Sequence, residues 1–432
     1  MKRTALAALL CAQALYVSPL FAADEWGEDE WADEETGSSW HGFIEAHSGA
    51  RLQNDTALQD DDLTAAEVRA RVETDTYIND TRLSFKGDIY ADGVDGGLQL
   101  NLREALAEFS LSEGVDLKAG HQVLTWGTGD LLFLNDMFAK DWVSFFSGRD
   151  DEYLKAPSTS LRLSAYSETA NVELVWTPVF TSDEFIEGER FSYFSPLAGQ
   201  QLAAPAGKIN PDSPSETLDS SEWAARVFGN VQLAGNTTEW ALYGYHGYWK
   251  QPNALSTSGN AYFSPLNVFG ASIRGSLGVG LANAEVAYYD GADDQGNDPR
   301  VMNNQVRLLL GYEQEIRPRL TMGVQYYLEH LQDYSQLSAN DGGSNYRSAQ
   351  NRHLWTLRLN YRMLQDNLTL SWFSFWSPTD QDSYHRPSIK YRFNDQLNLT
   401  VGANLFDGEQ KHTFFGQFED ASNAYARLRW SY

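Results

Sequence analysis

From Trp40 to the C-terminus, apolar and polar side chains alternate with period two in segments of about ten residues separated by turn residues, as in strands that cross a membrane as a barrel. Ala66, Val68, Ala70 and Val72 share one face, and Glu67, Arg69, Arg71 and Glu73 the other. Leu83, Phe85 and Ile89 oppose Ser84, Lys86, Asp88 and Tyr90. Trp355, Leu357, Leu359 and Tyr361 oppose Thr356, Arg358, Asn360 and Arg362, and Leu397 to Leu405 repeat the pattern against Asn398, Thr400, Gly402 and Asn404. A soluble sandwich alternates too, but around a dry core. Here the second face carries so many long charged side chains that it reads as wet.

The pattern predicts an all-β fold, a transmembrane antiparallel β-barrel of about eighteen strands. They begin near residues 40, 63, 81, 97, 115, 159, 170, 221, 237, 266, 281, 302, 318, 350, 367, 382, 396 and 421. Their connections alternate in length. Short links fall at 78–80, 112–114, 167–170, 234–236, 275–280, 315–319, 364–367 and 394–396, and longer ones at 127–158, 179–220, 250–265, 289–300, 331–349 and 407–420. That parity is expected of a barrel with short periplasmic turns and long external loops. The alternation changes phase near 97–111 and 237–249, which predicts β-bulges there or, if those segments are not full strands, a count of sixteen.

The first 22 residues read as a secretory signal peptide: Lys2 and Arg3, an apolar run from Ala5 to Val17, and a cleavage site ending at Ala22. The chain's one Cys, Cys11, leaves with it, so disulfides and thiolate metal sites are excluded from the mature protein. Residues 23–39 open with an acidic stretch around Trp26 and Trp31 and read as a periplasmic tail, solvated or docking a periplasmic partner. The barrel proper is expected over 40–432. Net charge is −27, which disfavours nucleic-acid binding, and no apolar run beyond the leader is long enough for a membrane helix. Aromatic residues make up 13% of the chain, which excludes disorder and fits Trp and Tyr girdles at two lipid interfaces. The chain ends Ala426-Arg427-Leu428-Arg429-Trp430-Ser431-Tyr432. This ending resembles the last-strand signal read by the outer-membrane assembly machinery, with Tyr432 in the terminal aromatic position.

Two further segments carry a resemblance. Gly120-His121-Gln122-Val123-Leu124-Thr125-Trp126-Gly127-Thr128-Gly129-Asp130 with Asn135-Asp136, and Arg386-Pro387-Ser388-Ile389-Lys390-Tyr391-Arg392-Phe393-Asn394-Asp395 with Gly402 to Phe406, are similar to a group of bacterial outer-membrane porin-like proteins whose strand ends in Trp-Gly-x-x-Asp. The resemblance covers the fifth strand and the last three. It is related in type to alginate-export and substrate-specific porins, and it also implies the alternative of an outer-membrane companion to an RND-type exporter moving amphiphilic or polymeric cargo.

The inward face supplies the candidate site. Arg69, Arg71, Arg358, Arg362, Arg386, Lys390, Arg392, Arg427 and Arg429 project to one basic wall if the last strand closes on the first. The long third external loop, 127–158, carries Asp130, Asp136, Asp141, Trp142, Asp150 and Asp151, with Trp126 at its root. Folded inward, its acids face the basic wall across a partly aromatic aperture, and such a transverse field tunes selectivity. The same cations also have inward Glu67, Glu73 and Glu313 as partners that would simply hold the wall together. No cofactor, metal site or catalytic arrangement is expected: the eight His residues are scattered, and His246 and His330 sit near strand ends beside Tyr residues. The expected function is an outer-membrane porin passing small polar or anionic solutes by diffusion.

Overall fold

The computed structural model describes residues 39–58, 62–233, 235–293 and 295–432. The leader expected at 1–22, and the acidic tail up to residue 38, lie outside the described residues. Besides two short two-stranded ribbons in the long loops, 193–195 with 200–202 and 254–255 with 261–262, the described residues form one closed antiparallel sheet of eighteen strands. They are β1 (Ser39–Arg51), β2 (Leu63–Ile78), β3 (Thr81–Asp92), β4 (Leu98–Ser112), β5 (Val115–Val123), β6 (Pro157–Ala165), β7 (Asn171–Thr177), β8 (Glu222–Leu233) and β9 (Asn236–Tyr248). The second half comprises β10 (Pro265–Leu277), β11 (Gly280–Asp290), β12 (Gln305–Arg317), β13 (Leu320–Leu331), β14 (Asn351–Met363), β15 (Leu368–Ser377), β16 (Asp382–Arg392), β17 (Leu397–Gly408) and β18 (Asn423–Ser431). Every strand starts within three residues of the position the alternation predicts. Each strand pairs with its sequence neighbours, and β18 closes on β1 from Phe43 opposite Ser431 to Arg51 opposite Asn423. Closure leaves no edge, so every strand has backbone partners on both sides.

The outer face is apolar because the outward residues are the apolar half of each alternation. Ile89, Leu100, Leu242, Phe269, Leu310 and Val401 all stand exposed on it. Trp176 and Trp223 stack 5.8 Å apart where β7 and β8 meet the long loops, and Tyr391 and Phe393 meet at 4.9 Å near the short-turn end. No helix among the described residues is long and apolar enough to cross a membrane.

One predicted bulge is present and the other is not. Between β3 and β4, Lys86 pairs with Glu104 but Gly87 with Leu102, leaving Arg103 as the extra residue. β9 runs in continuous register against both neighbours. Its apparent phase change has a different cause: Tyr243 and Tyr245 face inward, and they are buried against the loop that fills this part of the barrel. The inward face is therefore wet only in part. Toward the long-loop end, inward Tyr289, Tyr327, Phe373, Phe375, Tyr384 and Phe406 form a dry core with residues of 127–158.

Candidate functional site

Loop 127–158 enters the barrel because its apolar residues have a partner there. Its short helix α1 (Trp142–Ser147) is capped by Asp141, whose carboxylate accepts from Ser144 N at 2.7 Å, and it ends at Gly148 in the left-handed region. α1 delivers Phe146 against Phe406 at 5.1 Å and Phe418 at 5.0 Å, and Phe145 against Tyr384 at 5.7 Å. Each buried Phe is worth about 1.5–3 kcal/mol of transfer free energy. The α1 carbonyl of Phe146 is satisfied by the barrel wall, accepting from Asn404 Nδ2 at 3.0 Å and Asn423 Nδ2 at 3.1 Å.

Polar clamps then fix the loop at both ends of its traverse. On the β11–β14 side, Glu285 accepts from Thr128 N, from Thr128 Oγ1 at 2.9 Å, from Gly129 N at 2.7 Å and from Asn135 Nδ2 at 2.7 Å. Gln325 brackets the next peptide, accepting from Asp130 N at 2.7 Å and donating to Asp130 O at 2.8 Å, while Arg358 binds the Asp130 carboxylate. On the opposite side, Arg427 donates to Asp150 at 2.9 Å, Arg386 to Asp151 at 2.6 Å and Arg71 to Glu152 at 2.7 Å. Tyr153 donates to Asp88 at 2.7 Å and accepts from Arg71 at 2.7 Å.

The nine cations predicted from the alternation thus divide. Arg71, Arg358, Arg386 and Arg427 grip the loop, and Arg429 binds Glu45 at 2.8 Å with Glu152 at 3.7 Å. Arg69 is held between Glu67 and Asp88, at 3.0 Å from each. Arg362, Lys390 and Arg392 lie toward the short-turn end, exposed, and among the described residues no carboxylate comes within ion-pair distance of them. Contrary to the expectation from the sequence, the acids do not face the basic wall across an open aperture. Asp130, Asp150 and Asp151 touch it directly, because the aromatic packing of α1 carries the loop all the way across. Asp136 and Asp141 do not reach it at all. Asp136 pairs with Lys140 at 2.9 Å and accepts from Thr125 at 2.8 Å, and Asp141 is spent on the helix cap. Trp126 is a core residue that packs on Phe138 at 5.0 Å and donates to Glu173 at 3.0 Å, and Trp142 donates to Asp183 at 2.8 Å. Of the inward acids, Glu73 pairs with Lys86 at 3.1 Å.

Three basic residues of this site escape the sequence pattern. Arg103 is turned inward by the β4 bulge and donates to the carbonyls of Glu152 at 2.9 Å and Lys155 at 2.8 Å. Arg149 and Arg190 come from loops, and both reach buried Glu67, Arg149 at 2.6 Å and Arg190 at 3.5 Å, with Arg190 also binding Asp92 and Asp95. The phase break at 97–111 was the signal for Arg103, whereas nothing in strand periodicity marks a loop arginine.

Two cavities flank the turn 128–133. One of about 250 Å³ contains Thr128, Gly129 and Asp130 with Arg274, Glu313 and Arg358. The other, about 470 Å³, contains Leu131, Leu132 and Phe133 and is walled on its far side by residues of the long external loops, Tyr346, His412 and Phe414 among them.

No family profile matches the chain, and no curated protein matches it. Solved structures do. Pseudomonas aeruginosa OccK3 (OpdO) aligns over 91% of this chain and 95% of that one, at 10% identity and a TM-score of 0.53. Acinetobacter baumannii OccAB4 aligns over 92% and 100%, at 9% identity and a TM-score of 0.52. Pseudomonas aeruginosa OccK11 (OpdR) aligns over 91% and 95%, at 11% identity and a TM-score of 0.51. The fold is that of an outer-membrane β-barrel. A closed barrel pairs its strand backbone internally, as a lipid interior requires, and an apolar outer band on an even-numbered antiparallel barrel fits lipid around it, which places the chain in the bacterial outer membrane.

Within this barrel the loop carboxylates are held in different electrical states. Burial pushes the Asp130 carboxyl up, against the pull of Arg358. Burial also acts on Asp150, but Arg427 and Arg429 overcome it and hold that carboxyl below its ordinary range. Asp183 is pushed up by burial, with Lys140 opposing. Of these two loop acids, the surroundings of Asp150 favour its ionised form and burial shifts Asp130 toward its neutral one.

Proposed function

We propose that the barrel is a passive, diffusion-driven pore for small polar or anionic solutes, with selectivity set where loop 127–158 meets the basic wall. The observation that carries this is the run of lumenal cations on β14 and β16 from Arg358 and Arg386, at the loop contacts, to Arg362, Lys390 and Arg392 beyond them, which no carboxylate among the described residues reaches within ion-pair distance. A ring of uncompensated charge on a lumen wall favours the opposite ion. Loop acids neutralise the upper rungs, so a net preference for anions arises at the exposed lower ones.

The test is single-channel conductance of the refolded protein in a planar bilayer under a salt gradient. Discrete open steps with anion preference are expected. Replacing Arg358, Arg392 and Arg429 together by Ser removes three cations and releases Asp130 and Glu45, so anion preference falls and approaches cation preference. Unchanged selectivity in the triple variant overturns the proposed role of the wall. A barrel that conducts only after residues 23–39 are removed would instead favour docking of a periplasmic partner through the acidic tail.

A further inference from the structure

The larger cavity is a poor match for a small hydrated ion. Its floor is apolar, formed by Leu131, Leu132, Met137 and Leu354. Its sides are rings set edge to face: Phe133 against Trp142 at 6.3 Å, Trp142 against Phe414 at 6.3 Å, and Phe414 against Phe415 at 4.9 Å. At about 470 Å³ it lies within the size range of sites that enclose small organic molecules.

The charges around it are already spoken for. Lys140 pairs with Asp136 at 2.9 Å, Arg307 with Glu329 at 3.5 Å, Lys250 with Glu222 at 2.6 Å, Arg352 with Asp380 and Arg347 with Asp341, while Asp183 accepts from Trp142 Nε1 and Lys140 N, each at 2.8 Å. Three of these cations also lie over rings of the lining, Arg307 over Tyr289 at 4.0 Å, Lys140 over Phe133 at 4.7 Å and Arg352 over Phe414 at 5.5 Å. A solute entering here meets apolar surface and ring faces, with neutralised charge behind them. A flexible alkyl chain gains only contact area in such a place, whereas a flat ring also gains the edge-to-face geometry.

We infer that this external cavity binds the flat ring of an aromatic solute, recognised by its ring and not by its charge. The inference deepens the channel reading, on which it rests for the onward route, by naming the solute class: ring-bearing molecules pause above the turn 128–133 before meeting Asp130 and Arg358. Binding itself requires no conduction, so the two are tested separately.

The probe is 4-nitrobenzyl alcohol, a neutral aromatic quencher, titrated into the refolded barrel while tryptophan emission is read, since Trp142 and Trp249 both line the cavity. Acrylamide, which has no ring, serves as the control. Expected is saturable quenching by the aromatic probe, linear quenching by acrylamide, and no change in affinity between low and high salt, because screening acts on charge. Phe414→Ala and Tyr346→Ala each remove one ring from an external loop and weaken binding about fivefold. Phe269→Ala, which removes a ring from the outer face of the barrel, leaves it unchanged. Linear quenching by both probes, affinity that falls with salt, or indifference to both ring deletions overturns the inference. A barrel that quenches saturably but never conducts would sink the channel reading and leave the aromatic site standing; one that conducts but quenches linearly does the reverse.

Discussion

Asp130 is the residue at which the constriction's charge is most easily changed. Its carboxyl is pushed up by burial while Arg358 holds it. For an acid with a raised folded value, ionisation opposes folding, and on acidification the proton arrives above the ordinary carboxylate range of about 4. Asp150 has the opposite sign. Its folded value is depressed, so it contributes stability that is present above its unfolded value of about 3.9 and is lost as pH falls through the folded one. Lowering the pH from 7 should therefore free Arg358 before Arg427. Reversal potentials measured at steps of pH should show anion preference rising in an early step that Asp130→Asn abolishes. An early step that survives in Asp130→Asn assigns it to another group. Gly148 makes a different demand. At φ +81° it closes α1, and an added Cβ would lie 2.3 Å from the Tyr425 ring. Gly148→Ala should cost about 1–2 kcal/mol for the backbone alone, before the clash, read as a lower unfolding midpoint in detergent. At this scale the sequence exposed the inward arginines, since period two assigns a side to every strand residue. It could not expose Glu285 or Gln325 as clamps, because their partners are backbone groups of a loop lying about 155 to 195 positions away along the chain.

Elements were legible where lipid enforces alternation and illegible where protein replaces water. Strands β1–β18 start where the pattern places them, and the β4 bulge shows as a phase break that turns Arg103 inward. β9 also breaks phase, yet its register is continuous, because the loop core makes inward Tyr243 and Tyr245 as apolar in character as outward Leu242. The same physics decides how the two long loops behave. Glu67 on β2 holds Arg149 of loop 127–158 at 2.6 Å and Arg190 of loop 178–221 at 3.5 Å, deep among buried neighbours. Removing Glu67 withdraws the carboxylate that both arginines share, leaving Arg149 with Asp92 at 3.6 Å and Arg190 with Asp92 and Asp95, and loss of such a buried partner costs up to about 3–5 kcal/mol. Glu67→Gln should therefore loosen both loops together while the sheet ladder persists. Limited proteolysis should then cut within 127–158 and 178–221 in the variant and not in the parent. Cleavage confined to one loop would show that the two are held independently.

The whole molecule depends on a single seam, since seventeen strand pairings follow chain order and only β18 with β1 joins the ends. The last residue belongs to that seam. Tyr432 N donates to Gly42 O at 3.1 Å, Gly42 N donates to Tyr432 O at 3.3 Å, and the Tyr432 hydroxyl reaches the Arg71 carbonyl at 3.0 Å. Gly42 is required for that approach, because a Cβ there would lie 2.6 Å from the Tyr432 hydroxyl oxygen. The resemblance of this strand to an assembly signal gives Tyr432 a second expected role, one that has yet to be separated from the first. The two roles differ in where they act. Seam hydrogen bonds stabilise the finished barrel in any environment, each by about 0.5–1.5 kcal/mol, whereas a recognition signal matters only in a cell. Deleting Tyr432 should lower the unfolding midpoint of protein refolded in detergent modestly, and Tyr432→Phe, which keeps the ring and the backbone bonds, should restore most of it. If the residue is also read during assembly, the deletion should reduce the amount of folded, heat-modifiable barrel in cell envelopes far more than that stability loss accounts for, and Tyr432→Phe should return it to the parent level. Equal losses in detergent and in cells would leave Tyr432 as a clasp of the seam alone.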